Sequence, residues 1–125
     1  MILYINASPK LDKSNSEYFI RKIDNKASIK YLYKDRFEQL ELEKYDTILF
    51  SFPLYVDAPP NKVLQLFEYI DENKIDLTNK NIYAISNCGF LEAEQNDTAI
   101  EIMINFAKKN KAKFMGSFKI GAGEI

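Results

Sequence analysis

The sequence predicts an α/β fold, a three-layer sandwich around a five-stranded parallel sheet with the strand order 2-1-3-4-5. Two observations support this prediction. Short apolar runs alternate with segments of helical periodicity along the whole chain, and three of those runs are almost continuously apolar. The chain, residues 1–125, is expected to form a single domain, because its length and its 46% hydrophobic content suit one core.

The predicted strands fall into two groups. Continuous apolar or β-branched runs are typical of strands buried on both faces, at the centre of a parallel sheet. Runs with apolar residues mainly at every second position indicate edge strands with one wetter face. The central runs are residues 2–5, 48–52 and 82–85, and the edge runs are residues 29–33 and 114–120. Edge strands in second and fifth position along the chain fit the order 2-1-3-4-5.

Three helices are predicted from apolar stripes between the strands. The first helix is expected over about residues 15–24, and Pro60 and Asp97 are expected to begin the other two. The stripes are Phe19, Ile20 and Ile23 in the first helix, Val63, Leu66, Phe67 and Ile70 in the second, and Ile100, Met103, Ile104 and Ala107 in the third.

Right-handed crossovers place the first helix on one face of this sheet and the later crossovers on the other. The first face therefore receives one helix, and residues 121–125 stand where a fifth helix returning to it would begin. We expect the last helix to be missing through truncation at the carboxyl terminus. The first face is then covered by a partner subunit, in a homodimer or higher oligomer, or by a segment absent from the sequence.

Composition excludes several classes of function. The chain has 17 basic and 18 acidic residues, so its net charge of -1 predicts no nucleic acid or anionic membrane as a partner. With one cysteine and no histidine, it has neither a disulfide framework nor the usual zinc or iron–sulfur ligand sets. No metal is expected, and the expected compartment is the reducing cytoplasm. The short apolar amino terminus predicts a first strand rather than a signal peptide or membrane span.

The loop after the first strand combines hydroxyl, amide and lysine side chains with the start of a helix. Ser8, Ser14, Asn15 and Ser16 offer side-chain donors next to free backbone N–H groups, an arrangement suited to a phosphate. Alternatively, one of residues 14–16 is simply the N-cap of the helix. The loop has no glycine, which excludes a dinucleotide fingerprint and a P-loop.

Two further classes are excluded by single positions. A phosphoryl-accepting receiver domain needs carboxylates at the ends of the first and third strands, where this chain has Asn6 and Ser51. A cysteine phosphatase needs an arginine six residues after its nucleophile, where Cys88 is followed by Glu94.

Two more loops, residues 53–59 and 87–96, meet the first loop at the carboxyl edge of the predicted sheet. The segments around these loops read Ser-Phe-Pro-Leu-Tyr-Val-Asp-Ala-Pro-Pro60, from residue 51, and Ser-Asn-Cys-Gly-Phe90, from residue 86. Together with Ser-Pro-Lys10 and Ser-Asn-Ser16, these motifs resemble the NAD(P)H-dependent FMN reductase family of the flavodoxin-like superfamily, over nearly the whole chain.

The resemblance implies a flavodoxin-like fold, an FMN cofactor and NAD(P)H as the electron donor. It also implies hydride transfer through bound flavin to a small-molecule acceptor such as a quinone or free flavin, with no side chain acting as nucleophile. The implied phosphate contacts are Ser8, Lys10, Ser14, Asn15 and Ser16. The implied isoalloxazine contacts are Pro53, Leu54, Tyr55, Val56, Asn87, Cys88, Gly89 and Phe90.

Alternatives remain open at this point. Tyr55 is equally well explained as a loop tyrosine packed on the end of the sheet. Cys88 is better explained as a small buried hydrophobic residue than as a redox thiol. For the whole chain, the alternatives are a flavodoxin-like electron carrier and a flavin-free interaction domain.

Overall fold

A computed structural model describes residues 1–54, 59–87 and 97–120. Its strands are β1 (Ile2–Asn6), β2 (Ile29–Tyr31), β3 (Thr47–Pro53), β4 (Asn81–Asn87) and β5 (Lys113–Ile120). Its helices are α1 (Asn15–Ile23), α2 (Asn61–Glu72) and α3 (Asp97–Lys109), with two short 3-10 turns, Phe37–Leu40 and Leu42–Lys44, before β3. In these residues no helix is long and apolar enough to cross a membrane.

The five strands form one parallel sheet in the order β2-β1-β3-β4-β5, which confirms the predicted topology. The register aligns Asn6 of β1 with Ser51 of β3, and Pro53 of β3 with Asn87 of β4. The carboxyl ends of the three central strands therefore lie side by side at one edge of the sheet.

The two faces of the sheet carry separate apolar clusters. The larger one packs β1, β3 and β4 against α2 and α3, with Phe50 and Phe52 fully buried in it. The smaller one contains Tyr4, Leu49 and Ile85 from the sheet, and within the described residues its helical members come from α1 alone. This division of the helices is the one that the right-handed crossover rule predicts.

Pro60 occupies the N-cap position of α2, and α3 begins at Asp97, as predicted. The predicted stripes are mostly buried or half-buried, but Ile23 and Ile104 are exposed. Ile104 follows the fully buried Met103, and one residue rotates a helical side chain by roughly 100°. Ile23 is the last residue of α1 and is 50% exposed.

Candidate functional site

The first loop ends at a capped helix. Ser14 is the N-cap of α1, in extended conformation, and its Oγ accepts a hydrogen bond from the backbone N of Glu17 at 3.1 Å. Because α1 begins at Asn15, the first backbone N–H groups of the helix have no partner within it. These groups, with the positive end of the helix dipole, face the loop after β1.

Side chains from all three central strands hold this first turn. Asn6 at the end of β1 donates from Nδ2 to Ser14 Oγ at 3.2 Å. Ser51 of β3 donates from Oγ to the carbonyl oxygen of Ser16 at 2.8 Å. Asn87 of β4 donates from Nδ2 to the carbonyl of Phe52 at 3.2 Å and more weakly, at 3.5 Å, to Ser16 Oγ. The start of α1 is thus fixed above the carboxyl ends of β1, β3 and β4.

Three serine hydroxyls at this edge accept hydrogen bonds but do not give one within the described residues. Ser8 Oγ accepts from the backbone N of Lys10 at 3.1 Å, while Ser14 and Ser16 accept from the groups named above. A hydroxyl has one proton to donate besides its two acceptor positions. Each of these buried serines therefore keeps its own proton for an acceptor outside the described protein.

A cavity of about 200 Å³ lies at these hydroxyls. Its lining consists of Ser8, Lys10, Ser14, Asn15, Ser16, Pro53 and Asn87. Since one water occupies roughly 30 Å³ in the liquid, this volume accommodates a tetrahedral oxyanion. Among the described residues, the lining holds one cationic side chain, that of Lys10, and no carboxylate. Its chemistry therefore suits a negatively charged ligand.

Two larger cavities have a different character. One, of about 480 Å³, is lined in part by Glu38, Glu41 and Glu43, whose charges repel an anion. The other, of about 560 Å³, lies along the outer side of α1 beside Lys13, Tyr18 and Arg21, and Arg21 already donates to the Ala27 carbonyl and pairs with Glu17. Of these three cavities, we take the smallest as the candidate site, because it lies at the carboxyl ends of the central strands.

The acidic residue in the first turn of α1 is turned away from this cavity. Glu17 Oε1 accepts a hydrogen bond from Tyr31 Oη at 2.9 Å, and Glu17 Oε2 lies 3.7 Å from Arg21 Nε. These contacts hold the carboxylate toward β2, away from the described lining of the cavity. Burial, and then the hydrogen bond and negative charge of Glu17, raise the pKa of Tyr31 above its ordinary value.

The raised pKa of Tyr31 predicts a loss of stability in alkali. A folded-state pKa above the unfolded value means that the contribution is fully present below the unfolded pKa, about 10, and is lost as the pH rises through the folded pKa. We expect the free energy of unfolding to fall in this range, and to fall less steeply in Tyr31→Phe, when measured by urea titration at several pH values. A slope that is unchanged in Tyr31→Phe would contradict the assignment, and Tyr33→Phe is the matched control.

The structure brings together all five of the predicted phosphate contacts. Ser8, Lys10, Ser14, Asn15 and Ser16 all line the one cavity, and Pro53 and Asn87 from the other two loops line it too. Leu54 lies beside it, packed on the larger apolar cluster, with its backbone N donating to the Asn87 carbonyl at 2.7 Å. The predicted contacts Tyr55, Val56, Cys88, Gly89 and Phe90 lie outside the described residues.

Sequence reasoning missed the positioning roles of Asn6 and Ser51. Both are fully buried, and both hold the first turn of α1 in place. The available signal was a polar residue within or directly after an otherwise apolar strand.

No protein-family model matches the sequence, and no curated protein matches it. Solved structures do match. A flavodoxin from Pseudomonas aeruginosa aligns over all of this chain and 87% of its own, with 13% identity and a TM-score of 0.68. This chain has a flavodoxin-like fold. At such identities the likeness establishes the fold alone.

Other proteins with the flavodoxin-like fold also align over most of their length. An NADPH-quinone reductase from P. pentosaceus shares 21% identity over 98% of this chain and 85% of its own, with a TM-score of 0.74. General stress protein 14 from Treponema denticola, solved in complex with FMN, shares 18% identity over 98% of this chain and 87% of its own, also with a TM-score of 0.74.

Proposed function

We propose that this chain binds FMN at the carboxyl edge of its sheet and is an oxidoreductase. In this proposal it transfers hydride from NAD(P)H through the flavin to a small-molecule acceptor such as a quinone or free flavin. The observation that carries the proposal is the set of three buried serine hydroxyls, Ser8, Ser14 and Ser16, which accept hydrogen bonds from the described residues and donate none to them. The FMN-bound and reductase structures of the same fold support it.

The residues of the cavity fit the phosphate of FMN. The three serines donate to its oxygens, the free N–H groups at the start of α1 add further donors, and Lys10 adds a positive charge at the exposed side. A hydrogen bond to a charged group contributes about 1.5 to 3 kcal/mol, so several of them hold a dianion tightly. Lys10 is a flexible point charge, and we expect it to contribute less than the fixed hydroxyls.

The ring of FMN is proposed to lie against residues 53–56 and 87–90. Pro53 and Asn87 line the phosphate cavity, and the hydrogen bond from Leu54 N to the Asn87 carbonyl joins the two loops where they leave the sheet. A flat ring with a polar edge fits a site of backbone amides beside aromatic and aliphatic side chains. Tyr55, Val56, Cys88, Gly89 and Phe90 belong to this part of the proposal.

When bound, FMN supplies the hydride and electron transfer, and the protein supplies binding and orientation. The serine hydroxyls and the start of α1 fix one end of the cofactor, and the strand-end side chains Asn6, Ser51 and Asn87 keep those donors in place. The donors are preorganised before any ligand arrives, so little energy is required to arrange them.

The test is reconstitution of the purified protein with FMN, followed by anaerobic titration with NADPH and NADH. We expect stoichiometric FMN, visible in the flavin absorption bands, and rapid bleaching of those bands by one of the two donors. A protein that takes up no FMN would overturn the assignment of the site. A protein that holds FMN but is bleached only after a separate reductase is added would keep the site and contradict the enzyme, as expected of an electron carrier.

A further inference from the structure

The side chain of Asn6 is held at both ends of its amide group. Asn6 is fully buried at the end of β1, and its Oδ1 accepts a hydrogen bond from the backbone N of Ser8 at 3.0 Å. Its Nδ2 donates to Ser14 Oγ at 3.2 Å. A backbone N–H group can only donate, so the amide atom that faces Ser8 is the oxygen and the atom that faces Ser14 is the nitrogen. The orientation of the amide is therefore fixed by its partners.

This orientation leaves the hydroxyl of Ser14 with one remaining role. Ser14 Oγ accepts from Asn6 Nδ2, and it also accepts from the backbone N of Glu17 at 3.1 Å. A hydroxyl has two acceptor positions and one proton, and groups that can only donate fill both acceptor positions here. Ser14 can therefore contact a ligand in the cavity only by donating its proton.

The other two serines of the cavity are not restricted in this way. From the described residues, Ser8 Oγ accepts one hydrogen bond, given by the backbone N of Lys10 at 3.1 Å. Ser16 Oγ also accepts one, a weaker bond from Asn87 Nδ2 at 3.5 Å. Each of these two hydroxyls has a second acceptor position that no described residue fills. Ser14 is thus the serine of the described lining whose polarity the protein sets.

We propose that Asn6 determines which form of phosphate the FMN site accepts, an inference that rests on the proposed function. A P–OH group that faces Ser14 finds no acceptor there, because Asn6 and Glu17 already fill both acceptor positions. The dianion of a phosphate monoester has only unprotonated terminal oxygens, whereas the monoanion that predominates below about pH 6 carries one P–OH group. The site therefore selects the dianion. Asn6 does not line the cavity, so it is a positioning residue that acts through Ser14.

The charged groups around Ser14 set the sign of the expected pH dependence. Lys10 lines the cavity, and Lys13 lines the neighbouring cavity beside the same turn. The carboxylate of Glu17 lies near Arg21 on the β2 side. Protonation of any protein group on acidification makes the site more positive, which favours an anion. A fall in FMN affinity on acidification would therefore come from protonation of the phosphate itself.

The first test is Asn6→Asp, which nearly keeps the shape of the side chain. The carboxylate still accepts from the N–H of Ser8, but the atom that faces Ser14 becomes an acceptor and takes its proton. We expect FMN affinity to fall at least about 10²-fold, and riboflavin affinity to change little. The matched control is Asn81→Asp, which adds the same charge at the opposite end of the sheet, at the start of β4, and is expected to change neither affinity.

A double-mutant cycle separates the role of Ser14 from the added charge. Asn6→Asp is made in the wild type and in Ser14→Ala, and FMN affinity is measured in all four proteins. We expect the loss caused by Asn6→Asp to be at least about tenfold smaller in Ser14→Ala, where only the effect of the charge remains. Equal losses in the two backgrounds would overturn the proposal. Circular dichroism checks that each variant is folded.

The second test leaves Asn6 unchanged and therefore does not depend on the folding of Asn6→Asp. Between pH 7 and pH 5, FMN affinity of the wild type is expected to fall about tenfold, because about a tenth of the phosphate is still a dianion at pH 5. In Ser14→Ala the fall is expected to be about threefold or less, since the hydroxyl that rejects P–OH is gone. The same fall in both proteins would contradict the selection by Ser14.

The two proposals fail in different ways. A wild-type protein that binds no FMN at either pH would overturn the proposed function, and the role of Asn6 with it. A protein that binds FMN, but in which the losses from Asn6→Asp and Ser14→Ala are additive, would overturn the role of Asn6 alone.

Discussion

The double substitution Ser14→Ala and Ser16→Ala is expected to weaken FMN binding by about 10²- to 10⁴-fold, because each lost hydrogen bond to a charged phosphate is worth about 1.5 to 3 kcal/mol. Both side chains line the cavity, and neither donates a hydrogen bond to another described residue. Riboflavin, which has the same ring and no phosphate, is expected to lose little affinity. The fluorescence of FMN, and separately that of riboflavin, is followed as protein is added, and the two titrations give the two affinities.

Two controls separate binding from folding. Ser14 is also the N-cap of α1, so its loss is expected to lower the free energy of unfolding by about 1 kcal/mol. Ligand titrations are therefore made where urea curves show the variant to be folded. Ser28→Ala, at an exposed serine before β2, is the matched variant and should leave both affinities unchanged. Equal losses for FMN and riboflavin would contradict the phosphate site.

The central strands could be predicted because strands that are buried on both faces appear in the sequence as short, nearly continuous apolar runs. Residues 48–52 and 82–85 are apolar on both faces, a pattern that parallel strands under two helical layers require. The edge strand β2 is shorter than predicted, ending at Tyr31 instead of residue 33. There the backbone N–H groups of Lys34 and Asp35 both donate to the Tyr31 carbonyl, so a turn replaces the last two residues of the strand. Alternation of apolar residues does not reveal such a turn.

The candidate site was predictable only in part. Hydroxyl and amide residues next to a helix start are visible in the sequence. Of the two alternatives for Ser14, the N-cap is confirmed, and the phosphate contact stays a prediction for a residue that lines the cavity. The roles of Asn6, Ser51 and Asn87 depend on the register of three strands that are far apart in sequence. Ser51 and Asn87 reach Ser16 across 35 and 71 residues, a distance that no local pattern spans.

The proposed phosphate site depends on how the central strands pack. The donors of the proposed phosphate site sit on α1, but their placement is set by polar side chains at the ends of β1, β3 and β4. Anything that loosens the packing of the central strands therefore also moves the donors. The larger apolar cluster, on the opposite face of the sheet, is the main source of that packing.

Phe50→Ala is expected to lower the free energy of unfolding by about 3 to 5 kcal/mol, a large share of the roughly 5 to 15 kcal/mol typical of a domain. Phe50 is fully buried in the middle of β3, and its ring meets those of Phe67 on α2 and Phe106 on α3 edge-on, with centroids 6.4 and 6.1 Å away. Phe67 and Phe106 in turn stack at 3.9 Å. Removing the ring leaves a cavity where one strand and two helices meet.

Urea unfolding followed by circular dichroism measures this change, and Ile104→Ala on the exposed side of α3 is expected to shift the same curve by less than about 0.5 kcal/mol. Phe50 is next to Ser51 in β3. The space left by the missing ring is therefore expected to disturb the hydrogen bond that Ser51 donates to the first turn of α1. We therefore expect Phe50→Ala, under conditions where it is still folded, to weaken FMN binding as well, although its side chain lies on the opposite face of the sheet from α1. A Phe50→Ala protein as stable as the wild type would show that the three aromatic rings do not join the layers as the structure indicates.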